Sequence, residues 1–380
     1  MEKIKRFIDV KVPVTTCTLR CHYCYITHYK LFENKLPKFK YTVNTFRKGL
    51  SRERLGGVCM INLCGGGETL LPPEMPMYIR ALLEEGHYVM VVTNATVDRA
   101  FNEMVEWPKE FLERLFFKFS YHFLELKKRN LFDKFFANIK MMRDVGVSFT
   151  LEATPSDELI PYIEEMKALA VKELGAVCHV TVARDMHDFS TIPILSKMSP
   201  EEYYKTWSTF NSDLFEYKFS VFLQKRKEFC YAGDWTLFLD MESGILHQCY
   251  CSLFNQNIFD DVTKPIRFKA IGHYCQQPHC YNAHAFLTFG AIPEQESPTY
   301  AAMRNRLCID GSEWLSPRMK QFMECRLKYS NAEYSSEKRV LLDCEMWFLE
   351  KWTYIRRTIE KNRITRNWYN SLKGVYRRIT

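Results

Sequence analysis

The sequence has no run of about 20 uninterrupted apolar residues, the length a membrane-spanning helix needs. Its opening, MEKIKRFIDVKVPV, lacks the apolar core of a secretion signal, so a cytoplasmic protein is expected. Glycine and proline are sparse, 15 each in 380 residues, and there is no internal repeat or low-complexity tract, which excludes collagen-like chains. What is present fits a globular fold: 47% hydrophobic and 26% charged residues leave no case for disorder, and the length suits two or three domains. The aromatic share, 15%, suits large buried surfaces or pockets that stack on planar groups. A formal charge of +8 permits a nucleic acid, an acidic lipid surface or an acidic substrate and selects none of them. In a reducing compartment the fourteen cysteines stay thiols; clustered ones read as metal ligands or catalytic groups. The scattered Cys59, Cys178, Cys308, Cys325 and Cys344 read as buried thiols.

Short β-rich runs alternate with helical patterns through the first half. RFIDVKVPV, VCMINLC, YVMVVTNA, FFKFSYHF, VSFTLEAT and AVCHVTVARD read as strands. PPEMPMYIRALLEEG, RNLFDKFFANIKMMRDVG and PSDELIPYIEEMKALAVKELG carry helix-start and helix-stop residues. Six β-α units in series imply a parallel sheet, open or curled into a partial barrel. The pattern breaks near SKMSPEEYYKTW, which places a domain boundary near residue 205. WTLFLD and ILHQCYC then read as a hairpin turned at MESG, and the chain beyond about residue 296 reads as mostly helical.

CTLRCHYC sets Cys17, Cys21 and Cys24 as C-x-x-x-C-x-x-C directly after the first strand. That is the strand end where parallel α/β folds put their chemistry. Three thiolates are one ligand short of a tetrahedral zinc site, whereas an iron-sulfur cube takes one ligand per iron and can leave its fourth iron open. The spacing, with Tyr23 before the last cysteine, resembles the signature of radical S-adenosylmethionine (SAM) enzymes. The resemblance implies a [4Fe-4S] cluster on these cysteines, SAM on the open iron, and a 5′-deoxyadenosyl radical that abstracts hydrogen from carbon. It also implies that Tyr23 lies near the adenine.

CGGGETLL follows the second strand and matches the family's G-G-E, so the resemblance gives Gly65, Gly66, Gly67 and Glu68 to SAM binding, with Thr69 where many members have proline. Glycines admit close backbone approach and a carboxylate suits an ammonium. VTNAT resembles the family's T-N-G at Thr93 and Asn94, with Ala95 in the glycine's place. Ser120 and His122 end the fourth strand, Glu152 the fifth and Arg184 the sixth, and on a parallel sheet they would converge on one mouth. Ser120 is expected at the cofactor; His122, Glu152 and Arg184 are the expected catalytic residues, His122 as a proton carrier near neutral pH.

Cys230, Gly244 and Cys249 read C-x13-G-x4-C, which resembles the opening of twitch and SPASM domains. Cys275 and Cys280 could complete four ligands for one auxiliary [4Fe-4S] cluster; the further cysteine run of a full SPASM domain is absent. Cys251 either replaces one of the four or is idle. A structural zinc is the alternative for the same thiols, with His273, His279 and His284 as neighbours or donors.

The tail from Glu350 is basic and Trp-rich, with Trp352, Ile355, Ile359, Ile364, Trp368, Leu372, Val375 and Ile379 at helical spacing. It reads either as an amphipathic element for an acidic membrane surface or acidic partner, or as helices folded against the body. The expected architecture is therefore α/β: a partial (β/α)6, TIM-like barrel over 1–205, a twitch-like domain over 206–295 and a helical extension over 296–380. The expected function is radical SAM chemistry, leaning to peptide maturation because no separate peptide-recognition domain precedes the first strand. A sugar or small-molecule substrate is the runner-up, a flavodoxin- or ferredoxin-type reductant is implied, and no nucleic acid is expected. From another class, a non-catalytic, metal-stabilised nucleic-acid-binding protein is the competing reading.

Overall fold

The computed structural model describes residues 2–186, 191–250 and 252–361. Six parallel strands stand in reverse sequence order, β6 (His179–Val180) to β1 (Arg6–Val12), with β5 (Ser148–Ala153), β4 (Leu115–Ser120), β3 (Tyr88–Thr93) and β2 (Cys59–Gly65) between them. On the other side of β1 the sheet continues with β7 (Thr236–Asp240), parallel to β1, then β8 (Ile245–His247), antiparallel to β7, and β9 (Asn255–Asn257), antiparallel to β8. The alternating β-α pattern produces this order because each crossover helix returns the chain to the same strand end.

Successive strand residues point to opposite faces. Ile8, Val10, Ile61, Leu63, Val91 and Phe119 pack toward the helices, among them α1 (Met75–Glu84), α2 (Phe132–Asp144) and α3 (Ile163–Leu174). The alternate set, Phe7, Met60, Tyr88, Met90 and Phe116, packs against Phe286, Phe289, Tyr300 and Met303 from the later half of the chain. Each such buried side chain contributes about 1.5–3 kcal/mol.

Local chemistry accounts for the element ends. α3 stops at Gly175, whose φ of +79° is the left-handed conformation that glycine takes freely. Before α3 the chain makes a 3-10 turn, Asp157–Tyr162, because Pro161 has no N–H to continue a regular ladder. After β6, α4 (Pro200–Trp207) starts at a capping box between Ser199 and Glu202, and α5 (Asp213–Ser220) is capped by Ser212.

Three expectations change. The hairpin is not set apart from the barrel at residue 205: Phe7 pairs with Thr236 and Lys11 with Asp240, so it extends the same sheet. Among the described residues beyond 296, helix is confined to α6 (Pro317–Glu324) and α7 (Ser336–Lys361), apart from a 3-10 turn at Leu327–Tyr329. Residues 298–316 instead form a strap across the β5–β6 edge. Phe149 N–H donates to Trp314 C=O (3.1 Å), Trp314 Nε1 donates to Leu174 C=O (3.1 Å), and Arg306 reaches Phe210 C=O (2.9 Å). Last, Cys344 is exposed on α7; Cys59, Cys178 and Cys308 are buried as expected and Cys325 is half-buried.

Candidate functional site

The cysteine loop is stitched to the ends of two neighbouring strands by backbone hydrogen bonds. Gly67 N–H donates to Val14 C=O (2.6 Å) and Glu68 N–H to Thr16 C=O (2.9 Å). A Cβ on Gly67 would stand 2.0 Å from Thr16 O and 2.6 Å from Thr16 C, backbone atoms that cannot swing aside. The glycine is thus required by the approach of two chain segments, before any ligand is considered. Gly65 differs: its nearest neighbours would lie at 3.4 Å, an ordinary contact. Gly67→Ala is therefore expected to cost about 1–3 kcal/mol or more by forcing the seam apart, and Gly65→Ala less than half as much, as read by thermal unfolding.

Glu68 is buried and closes the seam from the other side. Its carboxylate accepts from Leu70 N–H (3.0 Å), Thr93 Oγ1 (2.6 Å) and Asn94 N–H (2.7 Å). Burial raises its pKa, and these three donors oppose the rise. A carboxylate has about four lone-pair positions, so one acceptor position remains. Asn94 Nδ2 donates to Thr18 Oγ1 (2.9 Å) and lies 3.6 Å from Cys17 Sγ. Ala95 holds φ +55°, glycine's territory, which explains why a glycine would suit that position.

The three thiols share one electrostatic neighbourhood: burial first, then Glu68 and Cys24, push the Cys17 thiol up to about 11, and burial, Cys17 and Cys24 push Cys21 further. Thiols crowded this way, Cys21 buried and Cys17 and Cys24 half-buried, favour a cationic partner that lets them ionise. Among the described residues no three His, Cys, Asp or Glu side chains converge on a single-ion position. A cube spreads its ligands over different irons, so its cysteines ring a larger space. Tyr23 OH is 2.7 Å from His122 Nδ1. Burial lowers the His122 pKa to about 4, so the imidazole is neutral at pH 7 and is not the near-neutral proton carrier expected from its reference value.

Inside the sheet lies a polar layer that the sequence reading passed over. Asp9 Oδ1 accepts from Asn62 Nδ2 (2.7 Å) and Oδ2 from Tyr250 OH (2.6 Å), with Asn282 Nδ2 at 3.4 Å. Glu152, opposite Ser120 in register, is paired with Lys118 Nζ (3.0 Å) and with the Arg304 guanidinium from the strap. Burial lowers Lys118 to about 8 and Arg304 to about 9. Glu152 is thus an ion-pair centre rather than an isolated acid or base. The signal was legible: Asp9, Asn62 and Lys118 are polar residues that interrupt the apolar runs of β1, β2 and β4.

The second cysteine set is gathered by backbone pairing. Cys230 exchanges hydrogen bonds with Gly272 (3.1 and 3.0 Å), three residues before Cys275. Gln248, next to Cys249, donates from Nε2 to Lys269 C=O (2.9 Å) and Ala270 C=O (3.1 Å). Cys230, Cys249, Cys275 and Cys280 are all half-buried against the inner core. A small cavity beside Cys280 is lined by Arg184, Lys218, His279 and Tyr281. Arg184 Nη1 donates to Tyr281 C=O (3.3 Å), which places Arg184 with this second set rather than beside Glu152. Lys218 Nζ donates to Thr181 Oγ1 (2.5 Å) and meets no carboxylate among the described residues. Buried Lys218 and half-buried Arg184 thus stand around a cavity with Cys280, where cations suit the negative charge of a thiolate-ligated cluster. Gly244 sits in the hairpin turn at φ +74°. His273 pairs with Asp343 (2.7 Å), whereas His279 is buried and His284 half-buried. Cys251 lies outside the described residues, as does the tail after Lys361.

Comparison with known proteins adds one family and a few distant structures. Residues 12–154 match the family model described as the radical SAM superfamily. No curated protein matches the chain. Among solved structures, Streptococcus suis SuiB bound to S-adenosylmethionine is 15% identical, over 67% of this chain and 64% of that one, with a TM-score of 0.46. Native anSMEcpe with bound AdoMet and Cp18Cys peptide is 13% identical over 95% and 99% of the two chains, with a TM-score of 0.47. BtrN in complex with AdoMet and 2-DOIA is 12% identical over 70% and 78%, with a TM-score of 0.29.

Proposed function

We propose, from the match of residues 12–154 to the radical SAM family model, that the chain is a radical SAM enzyme with one auxiliary iron-sulfur cluster. The observation that carries the proposal is the seam itself: Cys17, Cys21 and Cys24 sit on a loop that Gly67, Glu68 and Asn94 hold against the mouth of the parallel sheet. Cys17, Cys21 and Cys24 would hold three irons of a [4Fe-4S] cluster. When bound and reduced, that cluster supplies the electron that splits SAM to methionine and the 5′-deoxyadenosyl radical.

The chain's own groups position and shield. Glu68 offers its remaining acceptor position to an ammonium, and the glycines at 65–67 expose backbone at the same place. Tyr23, braced by His122, forms an aromatic wall beside the cysteines. Substrate would enter above the layer of Asp9, Asn62, Lys118 and Glu152, with Ser120 on its rim.

Cys230, Cys249, Cys275 and Cys280 would hold the auxiliary cluster, with Arg184 and Lys218 offsetting its charge. We divide the chain functionally at about residues 205 and 295 and assign it to the reducing cytoplasm; among the described residues no helix is long and apolar enough to cross a membrane. Cys230→Ala/Cys249→Ala is expected to retain SAM cleavage and to lose about half the iron of the reconstituted protein, about four of eight per chain. Unchanged iron, or zinc in place of iron at this set, refutes the auxiliary assignment. Peptide maturation is the first substrate class to test and oxidation of a sugar or small molecule the second. Deuterium transfer from labelled substrate into 5′-deoxyadenosine separates the two, since only the true substrate delivers it.

A further inference from the structure

α7 has two apolar faces. One, with Leu342 and Met346, is buried against the inner core. The other carries Leu341, Trp347, Phe348, Trp352, Tyr354 and Ile355, recurring at helical spacing and open to solvent; Phe348 is 65% and Trp352 58% exposed. A contiguous apolar stripe of this size on a free surface marks a contact site.

Three acids of α7 are paired with the body, Glu345 with Lys269, Asp343 with His273 (2.7 Å) and Glu350 with Gln276 Nε2 (2.5 Å), while Glu337 in its first turn is exposed. Lys351 lies on the exposed arc, and beside the helix the segment Lys225, Arg226 and Lys227 shares a groove with Tyr274 and Glu350. Leu223, two residues before Lys225, is itself 56% exposed. In the sequence from Lys351 onward, nine Lys and Arg stand against the single acid Glu360.

We infer that this face of α7, with the Lys225–Lys227 segment beside it, docks on an anionic lipid surface, lying in the interface rather than crossing it. Tryptophan and tyrosine seat at the headgroup level, aliphatic and phenyl groups reach below it, and flanking cations meet acidic headgroups. A second copy of this chain fits less well, because a twofold pairing would set the basic segments against each other.

Co-sedimentation of the full chain tests this with vesicles of phosphatidylcholine alone and of phosphatidylcholine with phosphatidylserine. Wild type is expected to pellet with the anionic vesicles, to be released by high salt, and to stay in solution with the neutral ones. Trp347→Ser/Phe348→Ser/Trp352→Ser is expected to weaken binding about tenfold or more with its melting midpoint retained. Lys225→Gln/Lys227→Gln, which leaves the helix untouched, is expected to weaken it several-fold. Failure of wild type to pellet with anionic vesicles at low salt overturns the inference. So does equal binding to neutral vesicles, or a wild-type dimer that the aromatic variant dissociates without any vesicle binding.

Discussion

Cys17→Ala/Cys21→Ala/Cys24→Ala, reconstituted anaerobically with iron and sulfide and then reduced, is expected to release 5′-deoxyadenosine only at background level where wild type turns SAM over. The loss should be complete because the three thiols are the only proposed protein ligands of that cluster, and no neighbouring side chain replaces a thiolate. The fold should survive. The loop is held by Gly67 to Val14, Glu68 to Thr16 and Asn94 to Thr18, none of which uses a cysteine. A circular dichroism spectrum matching wild type, with about half the iron retained on the second cysteine set, is therefore the companion result. Deoxyadenosine at the wild-type rate would place the chemistry elsewhere.

Arg304→Met should produce the largest loss of stability among single substitutions. Arg304 and Glu152 are among the most buried charged side chains of the molecule, and they face each other across the strap and β5. Removing one member of a buried pair strands the other, at about 3–5 kcal/mol. Lys118 remains within 3.0 Å of Glu152, which sets the expectation at the lower end, about 3 kcal/mol. Adding Glu152→Gln should recover only part of that cost, since it neutralises the stranded carboxylate but takes from Lys118 the partner it holds at 3.0 Å. Thermal or denaturant unfolding reads both steps. An Arg304→Met variant as stable as wild type would mean that the strap is not anchored by this pair.

The same strap shows where the sequence was silent. Arg304 sits in an irregular stretch, and its partner is about 150 residues earlier in the chain; nothing in local spacing connects the two. Likewise β7 joins β1 through a parallel pairing of distant segments, while the hairpin pattern of 235–251 announces only its own antiparallel turn. By contrast, the cysteine loop, the glycine-glycine-glutamate run and the helix stops at Gly146 and Gly175 were readable because their chemistry acts over a few residues. The protonation state of His122 was hidden for a related reason: its reference pKa belongs to an exposed imidazole, and burial beside Tyr23 and Lys118 favours the neutral form. Asp9, Asn62 and Lys118 were visible one strand at a time, but only the sheet sets Asp9 opposite Asn62 and carries Lys118, two residues further along in register, to Glu152.

Anaerobic purification followed by single-turnover incubation with SAM and dithionite bears most strongly on the whole proposal. The prediction is a brown protein with about eight irons and eight sulfides per chain that converts SAM to methionine and 5′-deoxyadenosine. A colourless protein holding only zinc, with SAM intact after reduction, would contradict it.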